Sequence, residues 1–288
     1  MNDQAEQLRL RIMQEKGQNS GKTLAVISGK GGVGKSNFSL NFSISLSKLG
    51  NRVLLFDMDI GMGNINILMG NTAKRTIVDF FQREMSLQDV ITKGPNNLSF
   101  ISGGTGLTNL FSMNEQQFQR FTDGFSELQM DYDYIVFDLG AGISVDSTKF
   151  LHCVDEIITV TTPEPTSMMD AYSVIKYLHI QNQQVPIYLV CNRTLRERQG
   201  TETLSRLQLT LKKFLNKEVW ILGSLPDSKF VVQAVTSQTP FTILNPNADV
   251  SVAMKRLTLH YLSNSQEGLH SGTKQSFVGK LKKFFIGR

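Results

Sequence analysis

The residues Ser28-Gly29-Lys30-Gly31-Gly32-Val33-Gly34-Lys35-Ser36-Asn37 put two lysines into one glycine-rich stretch. Gly29 to Ser36 fit the pattern GxxxxGK[ST]. Glycines let the backbone N–H groups of such a loop turn inward around an anion, and a helix starting at its end adds partial positive charge. Lys35 then neutralises β- and γ-phosphate oxygens, and the Ser36 hydroxyl serves Mg2+. The chemistry is nucleotide binding, with Gly29, Lys30, Gly31, Gly32, Val33, Gly34, Lys35, Ser36 and Asn37 as the phosphate-facing loop. One lysine suffices for that task, which leaves Lys30 without a role.

Acids at strand ends supply the rest. Asp138 closes "YIVFD" and precedes a glycine, where an acid sits beside a phosphate loop and organises Mg2+, usually through water. Asp57 and Asp59 close "RVLLFDMD" and point the same way if the strand continues. One of them would poise the attacking water while the other supports the metal shell, and the split between the two stays open; Ser36, Asp57 and Asp138 are the candidate metal residues. Hydrolysis of a phosphoanhydride needs positioning more than a strong base. A GTP-binding chain is expected to carry Asn-Lys-x-Asp; "VCNRTL" has Asn192-Arg193-Thr194-Leu195 instead, and "NKEV" has Val219 where the acid is needed. ATP is favoured, with Asn192 and Arg193 at the adenine and Pro226 and Asp227 as its wall.

Elements that position these groups are visible as short apolar runs: "TLAVIS", "RVLLFD", "YDYIVFDLG", "EIITVTT", "PIYLVCN" and "EVWILGSLP". They read as parallel strands buried on both faces, separated by helical segments such as "SNFSLNFSISLSKLG", which Gly50 stops. The alternation predicts a single-domain α/β fold, a doubly wound, mostly parallel sheet flanked by helices, with ligands at the C-terminal strand ends. "ISGGTGL" at 101–107 is glycine-rich but lacks a following Lys-Ser, and reads as a structural loop.

The bulk properties are compatible with this. The chain has 288 residues, 40% of them apolar, and no apolar run long enough to cross a membrane. Its N-terminus has no apolar signal core, so a cytoplasmic protein with two buried thiols, Cys153 and Cys191, is expected. The net charge of +5 lies entirely in residues 268–288, whose five basic residues have no acid among them. The remainder, with 25 basic and 25 acidic residues, is neutral, and no specific nucleic-acid partner is expected.

With Lys30 in place, the loop resembles the deviant Walker A motif KGGxGK[ST] of the MinD/ParA ATPases. The stretches "FDMDIGMGNINILMG", "FDLGAGI" and "TTPEPTSMMDAY" are also similar to that family, over most of 22–260. The resemblance implies a Mg2+-dependent ATPase (a hydrolase of ATP to ADP and phosphate) that is a homodimer with ATP and a monomer with ADP. Lys30 would act in trans on the partner's nucleotide, Lys35 and Ser36 in cis, Asp59 on the catalytic water and Asp138 as the Walker B acid. Such a lysine would stabilise transition-state charge as an arginine finger does.

The two ends of the chain narrow the resemblance. "DQAEQLR", Asp3 to Arg9, resembles the DQAxxLR motif of FlhG (YlxH), the MinD-like regulators of flagellar number and placement. In that family the N-terminal helix activates the GTPase FlhF; Asp3, Gln4, Ala5, Leu8 and Arg9 are the implied partner-binding residues, and flagellar C-ring (switch) proteins are further implied partners. At the C-terminus, "SFVGKLKKFFIGR" sets Phe277, Leu281, Phe284 and Phe285 at helical spacing, with Val278 widening the stripe and Lys280, Lys282 and Lys283 supplying charge. That pattern suits a helix lying in an anionic membrane surface, and resembles the targeting tail of MinD. A helix docked on its own domain is the other reading, and docking would serve as a resting state. The expected organisation is 1–20 as partner-binding helix and linker, 21–263 as ATPase domain, 264–276 as linker and 277–288 as membrane helix. The expected location is cytoplasmic, peripheral on the membrane with ATP. Alternatives are a division-site MinD, a ParA-type DNA or cargo partition ATPase, which needs a basic domain surface, and an iron–sulfur carrier, for which two lone cysteines are a poor ligand set.

Overall fold

The computed structural model describes residues 20–59, 64–71, 73–83, 85–103, 113–140, 142, 148, 150–181, 185–266 and 276–286. Asp3, Gln4, Ala5, Leu8 and Arg9 lie outside the described residues, as does most of 264–276.

In chain order, β1 is Lys22–Ile27, α1 Lys35–Lys48, β2 Val53–Met58, α2 Ile65–Leu68, α3 Ile77–Gln82, β3 Thr92–Lys93 and β4 Ser99–Ile101. Then come α4 Glu115–Asp131, β5 Tyr134–Leu139, β6 Glu156–Thr161, α5 Pro165–Ile180, β7 Ile187–Thr194 and α6 Glu197–Leu215. The chain finishes with β8 Trp220–Pro226, α7 Lys229–Thr236, α8 Phe241–Leu244, α9 Asp249–Gln266 and α10 Phe277–Ile286. The strands form one sheet in the order β3-β4-β2-β5-β1-β6-β7-β8. Every pairing is parallel except the short antiparallel edge of β3 on β4.

The apolar runs are continuous because both faces of the sheet are covered. On β5, Ile135 and Phe137 join one core and Val136 the other; on β1, Ala25 and Ile27 face away from Leu24 and Val26. Helix α1 carries Phe38, Phe42 and Leu46 into the second core and is buried on nearly all sides. Its serines survive there by returning hydroxyls to the preceding turn: Ser43 to the Ser39 carbonyl at 2.7 Å and Ser45 to the Asn41 carbonyl at 2.7 Å. All six strands expected from the sequence are present, and β3 and β4 are additions. Two and three residues long, they carry too little pattern to be read as strands.

The C-terminal helix takes the docked arrangement that the sequence leaves open as a resting state. Phe277, Val278 and Leu281 are not displayed for a membrane; they are buried in the core under β5 and α4. Phe277 is fully buried, its ring 4.6 Å from Phe125, 5.6 Å from Phe137 and 5.2 Å from Phe150. Lys280 reaches the Val154 carbonyl at 3.3 Å and Asp155 at 3.6 Å, while Lys282 is half-buried and Lys283 exposed. Phe284 and Phe285 fall within α10, but their side chains lie outside the description. The same amphipathic face that suits a bilayer also suits a groove of the chain's own aromatic rings, and here the groove holds it. Segment 277–286 is therefore part of the same body as the sheet. Helix α9 also runs to Gln266, past the expected boundary at 263.

Candidate nucleotide-binding site

The glycine-rich loop joins β1 to α1 at the C-terminal edge of the sheet, where the topology reverses between β5 and β6 around β1. Two glycines show why their identity matters. A Cβ on Gly29 would lie 2.2 Å from the Asp170 backbone, because α5 packs hard against the loop. Gly34 caps α1 at φ 89°, a conformation that side-chain-bearing residues rarely adopt. The loop lines a cleft of about 340 Å³ with Gly31, Gly32, Gly34, Lys35, Ser36 and Asn37. The opposite wall comes from Asp59 after β2, from Asn64, Ile67 and Leu68 around α2, and from Val235 of α7. The last four carry no chemical signature in the sequence; Ile67 and Val235 are notable as exposed apolar residues at the mouth.

Beneath the loop lies a buried polar knot. Lys35 Nζ sits 2.7 Å from Asp138 Oδ1, and Ser39 Oγ donates to the same oxygen at 2.8 Å. Asp57 is the strand neighbour of Asp138, and Asp138 Oδ2 is buried with no partner assigned. Asp57 accepts the Asp59 N–H at 3.1 Å and the Ile65 N–H at 3.4 Å, which ties β2 to α2. Burial, reinforced by the charge of Asp138, raises the Asp57 carboxyl to about 7. The structure thus brings Lys35, Asp57 and Asp138 together, with Asp59 and Ser36 facing the cleft above.

The raised pKa has a testable sign. Between about pH 4 and 7 the unfolded chain has lost the Asp57 proton while the folded chain keeps it, so stability falls as pH rises. Above about 7 both states are ionised and the cost levels off. An Asp57→Asn variant without nucleotide should therefore gain about 2–4 kcal/mol at pH 8, and the gain should vanish toward pH 4. Urea melts at both pH values measure it; an equal gain at both would place the effect outside this proton.

Lys30 stands apart from this knot. Its Nζ meets Glu164 Oε2 at 2.6 Å and Thr166 Oγ1 at 3.2 Å, on the surface. Lys30 holds the Glu164 carboxyl below its usual range through that hydrogen bond and its charge. Glu164 caps α5 ahead of Pro165, and the turn is closed by Ser167 Oγ accepting the Thr162 N–H at 3.0 Å. The sequence reading passes over Glu164 and Thr166. Their position just past the end of β6, beside the loop strand, was the available signal.

Asn192, Arg193, Pro226 and Asp227 gather on the adjoining strand ends. Thr194 pairs with Pro226 in register, and the Asp227 N–H donates to the Thr194 carbonyl at 2.9 Å. Asn192 turns toward the loop, its amide 2.8 Å from the Val33 carbonyl.

A divalent cation fits the residues present. Asp138 Oδ2 is an orphaned buried oxygen, Ser36 faces the cleft, and the neighbouring Asp57 is an acid kept in check by its surroundings. No group of three or more His, Cys, Asp or Glu side chains suited to a metal exists among the described residues. The set suits an ion shared with bound phosphates, as Mg2+ prefers, over a cage built of protein alone. Cys153 and Cys191 are buried, and burial pushes both thiols up to about 12. Among the described residues no helix is long and apolar enough to cross a membrane.

Comparisons with known proteins agree with this geometry. Residues 21–189 match a family model described as an AAA domain. The antiactivator FleN of Pseudomonas aeruginosa is 31% identical over 234 residues, covering 81% of this chain and 84% of the relative. The flagellum site-determining protein YlxH of Helicobacter pylori is 31% identical over 266 residues, covering 92% and 88%. Among solved structures, the septum site-determining protein MinD of Pyrococcus horikoshii, complexed with Mg-ADP, superposes with a TM-score of 0.69 at 20% identity. That match covers 85% of this chain and 97% of the other.

Proposed function

The chain belongs to the MinD/ParA-type P-loop ATPases, the branch that includes FleN and YlxH, and from that premise we propose an ATP-switched dimer that regulates flagellar number or placement at the membrane. The observation that carries the reading is the second lysine. Lys30 lies on the rim of the loop, held by an exposed ion pair to Glu164, and exposed pairs contribute little. It is free to leave for a second copy's phosphates, whereas buried Lys35 serves its own. Ser36, with Asp138 and Asp57 behind it, would hold Mg2+, which would supply charge neutralisation on the phosphates. The γ-phosphate then favours the dimer, and ADP the monomer.

Membrane attachment follows from the tail. With Phe277 docked on Phe125, Phe137 and Phe150, the apolar residues Phe277, Val278 and Leu281 of α10 are hidden; released in the dimer, two copies would bind an anionic bilayer together where one binds weakly. Co-sedimentation with anionic liposomes tests the function. The expected result is pelleting with ATP and much less with ADP, and loss of pelleting when Lys282 and Lys283 both become Glu. Retention of that double variant on liposomes would refute the tail as anchor. Phe277 is the wrong position for this test, because a carboxylate there would be buried in the docked state.

The N-terminal segment is the proposed contact with FlhF. Removing residues 1–20 should leave ATP turnover intact and abolish stimulation of FlhF GTPase. Undiminished stimulation would remove "DQAEQLR" from the account and with it the reading of the chain as an activator.

A further inference from the structure

We propose that Ser39 is a positioning residue for Asp138, its hydroxyl keeping that carboxylate aimed for a hydrated divalent cation once phosphate has taken Lys35. The inference deepens the reading of this site as one for a nucleotide with Mg2+, and rests on it.

Ser39 lies one turn after Lys35 on α1, so the two side chains share a face of the helix. Both meet the same oxygen: Lys35 Nζ is 2.7 Å and Ser39 Oγ 2.8 Å from Asp138 Oδ1. Ser39 and Asp138 are fully buried. A serine inside a buried helix ordinarily gives its one proton to the carbonyl a turn before it, as Ser43 and Ser45 do, both at 2.7 Å. Ser39 departs from its neighbours. The equivalent carbonyl, that of Lys35, is 3.1 Å away, farther than the carboxylate. One hydroxyl proton serves one acceptor well, and the nearer, charged one takes it.

The two donors to Asp138 differ in what a ligand does to them. Lys35 lines the cleft, where a ligand's phosphates would draw it away; Ser39 lies behind it, outside the lining, and stays. Among the described residues Ser39 would then be the one side-chain donor assigned to Asp138. Its bond holds Oδ1 toward α1, and the planar carboxyl group then fixes where Oδ2 stands. Oδ2 is buried without an assigned partner, a costly state for an oxygen that has no use. Asp138 touches Lys35 and so stands one side chain behind the cleft, the place for an acid that organises a cation through water. Ser39 meets neither ligand nor cation in this arrangement and acts through Asp138.

Calorimetric titration of the full-length protein with ADP, in EDTA and with Mg2+, reads this role. The wild-type protein should bind ADP more tightly with Mg2+. Ser39→Ala should weaken binding with Mg2+ by about tenfold, the worth of a hydrogen bond to a charged group, and leave the affinity in EDTA near wild type. Ser39→Thr keeps the hydroxyl and should keep the wild-type response to Mg2+. Thermal melts without ligand report whether each variant folds. Ser39→Cys, close to serine in volume and a weak donor, replaces the Ala variant if that does not fold. Equal weakening in EDTA and in Mg2+ would mark a distorted helix and overturn the positioning role. So would an undiminished response to Mg2+ in the Ala variant, or a folded Thr variant that behaves like it. A wild-type protein that binds ADP equally well in both media removes the cation from Asp138, and this proposal with it. One that binds no ADP at all overturns the nucleotide reading itself.

Discussion

Lys35→Ala is expected to lower ATP affinity by about 100-fold or more and to abolish turnover, because charge-assisted hydrogen bonds to phosphate are the strong ones. Lys35 has little exposure, and its only ion pair among the described residues is with Asp138, 2.7 Å away. A ligand's phosphates must draw the ammonium off that carboxylate. That exchange would uncover Asp138, whose second oxygen already lacks a partner and would suit a hydrated divalent cation. The substitution has a second cost in the empty protein. Among the described residues Asp138 then stays buried beside Asp57 with only Ser39 Oγ against it, and breaking a buried pair from one side typically costs about 3–5 kcal/mol. The raised pKa of Asp57 softens this, since that neighbour takes up a proton near neutrality. Calorimetric titration with ATP and urea melts of the ligand-free protein separate the two effects. Restoring stability with Asp138→Asn in the Lys35→Ala background should not restore ATP binding; wild-type affinity in Lys35→Ala would remove it from the phosphate site.

Much of this was legible in the residues. A glycine loop between an apolar strand and a helix is written in local order, and Asp138 is marked by its place at a strand end. The sheet was legible because strands buried on both faces must be apolar throughout. What was not legible depends on neighbours across the fold. Lys30 and Glu164 stand 134 positions apart and meet because β1 lies beside β6. Asn192 reads as a base contact from its place after "YLVC", but its grip on Val33 follows from a bulge that no spacing announces. The tail shows a different limit. Periodicity reports that one face of α10 is apolar and is silent on what covers it, and Phe125, Phe137 and Phe150 had already made a pocket.

The trans role of Lys30 makes the largest remaining prediction, and mixing two dead proteins tests it. Lys30→Ala keeps its own Lys35, Asp57, Asp59 and Asp138, so each site is complete apart from what the partner should bring. Asp59→Ala lacks the residue that faces the cleft beside the loop, and should bind ATP, stay dimeric and not turn over. Alone, each is expected to be nearly inactive. In a mixed dimer the Lys30→Ala subunit has its own Asp59 and receives an intact Lys30 from the other copy, so one of the two sites is whole. Random mixing makes about half of all dimers mixed, and an equimolar mixture should recover about a quarter of the wild-type rate. A lysine acting in cis gives no recovery, because each subunit then carries its defect into every pairing. Glu164→Gln should shift the balance the other way. It takes the countercharge from Lys30, 2.6 Å distant, and leaves the knot beneath the loop untouched. Dimerisation should then require less ATP, read by light scattering across an ATP titration. An unchanged or higher ATP requirement would show that Glu164 is not the hold on Lys30 in the monomer.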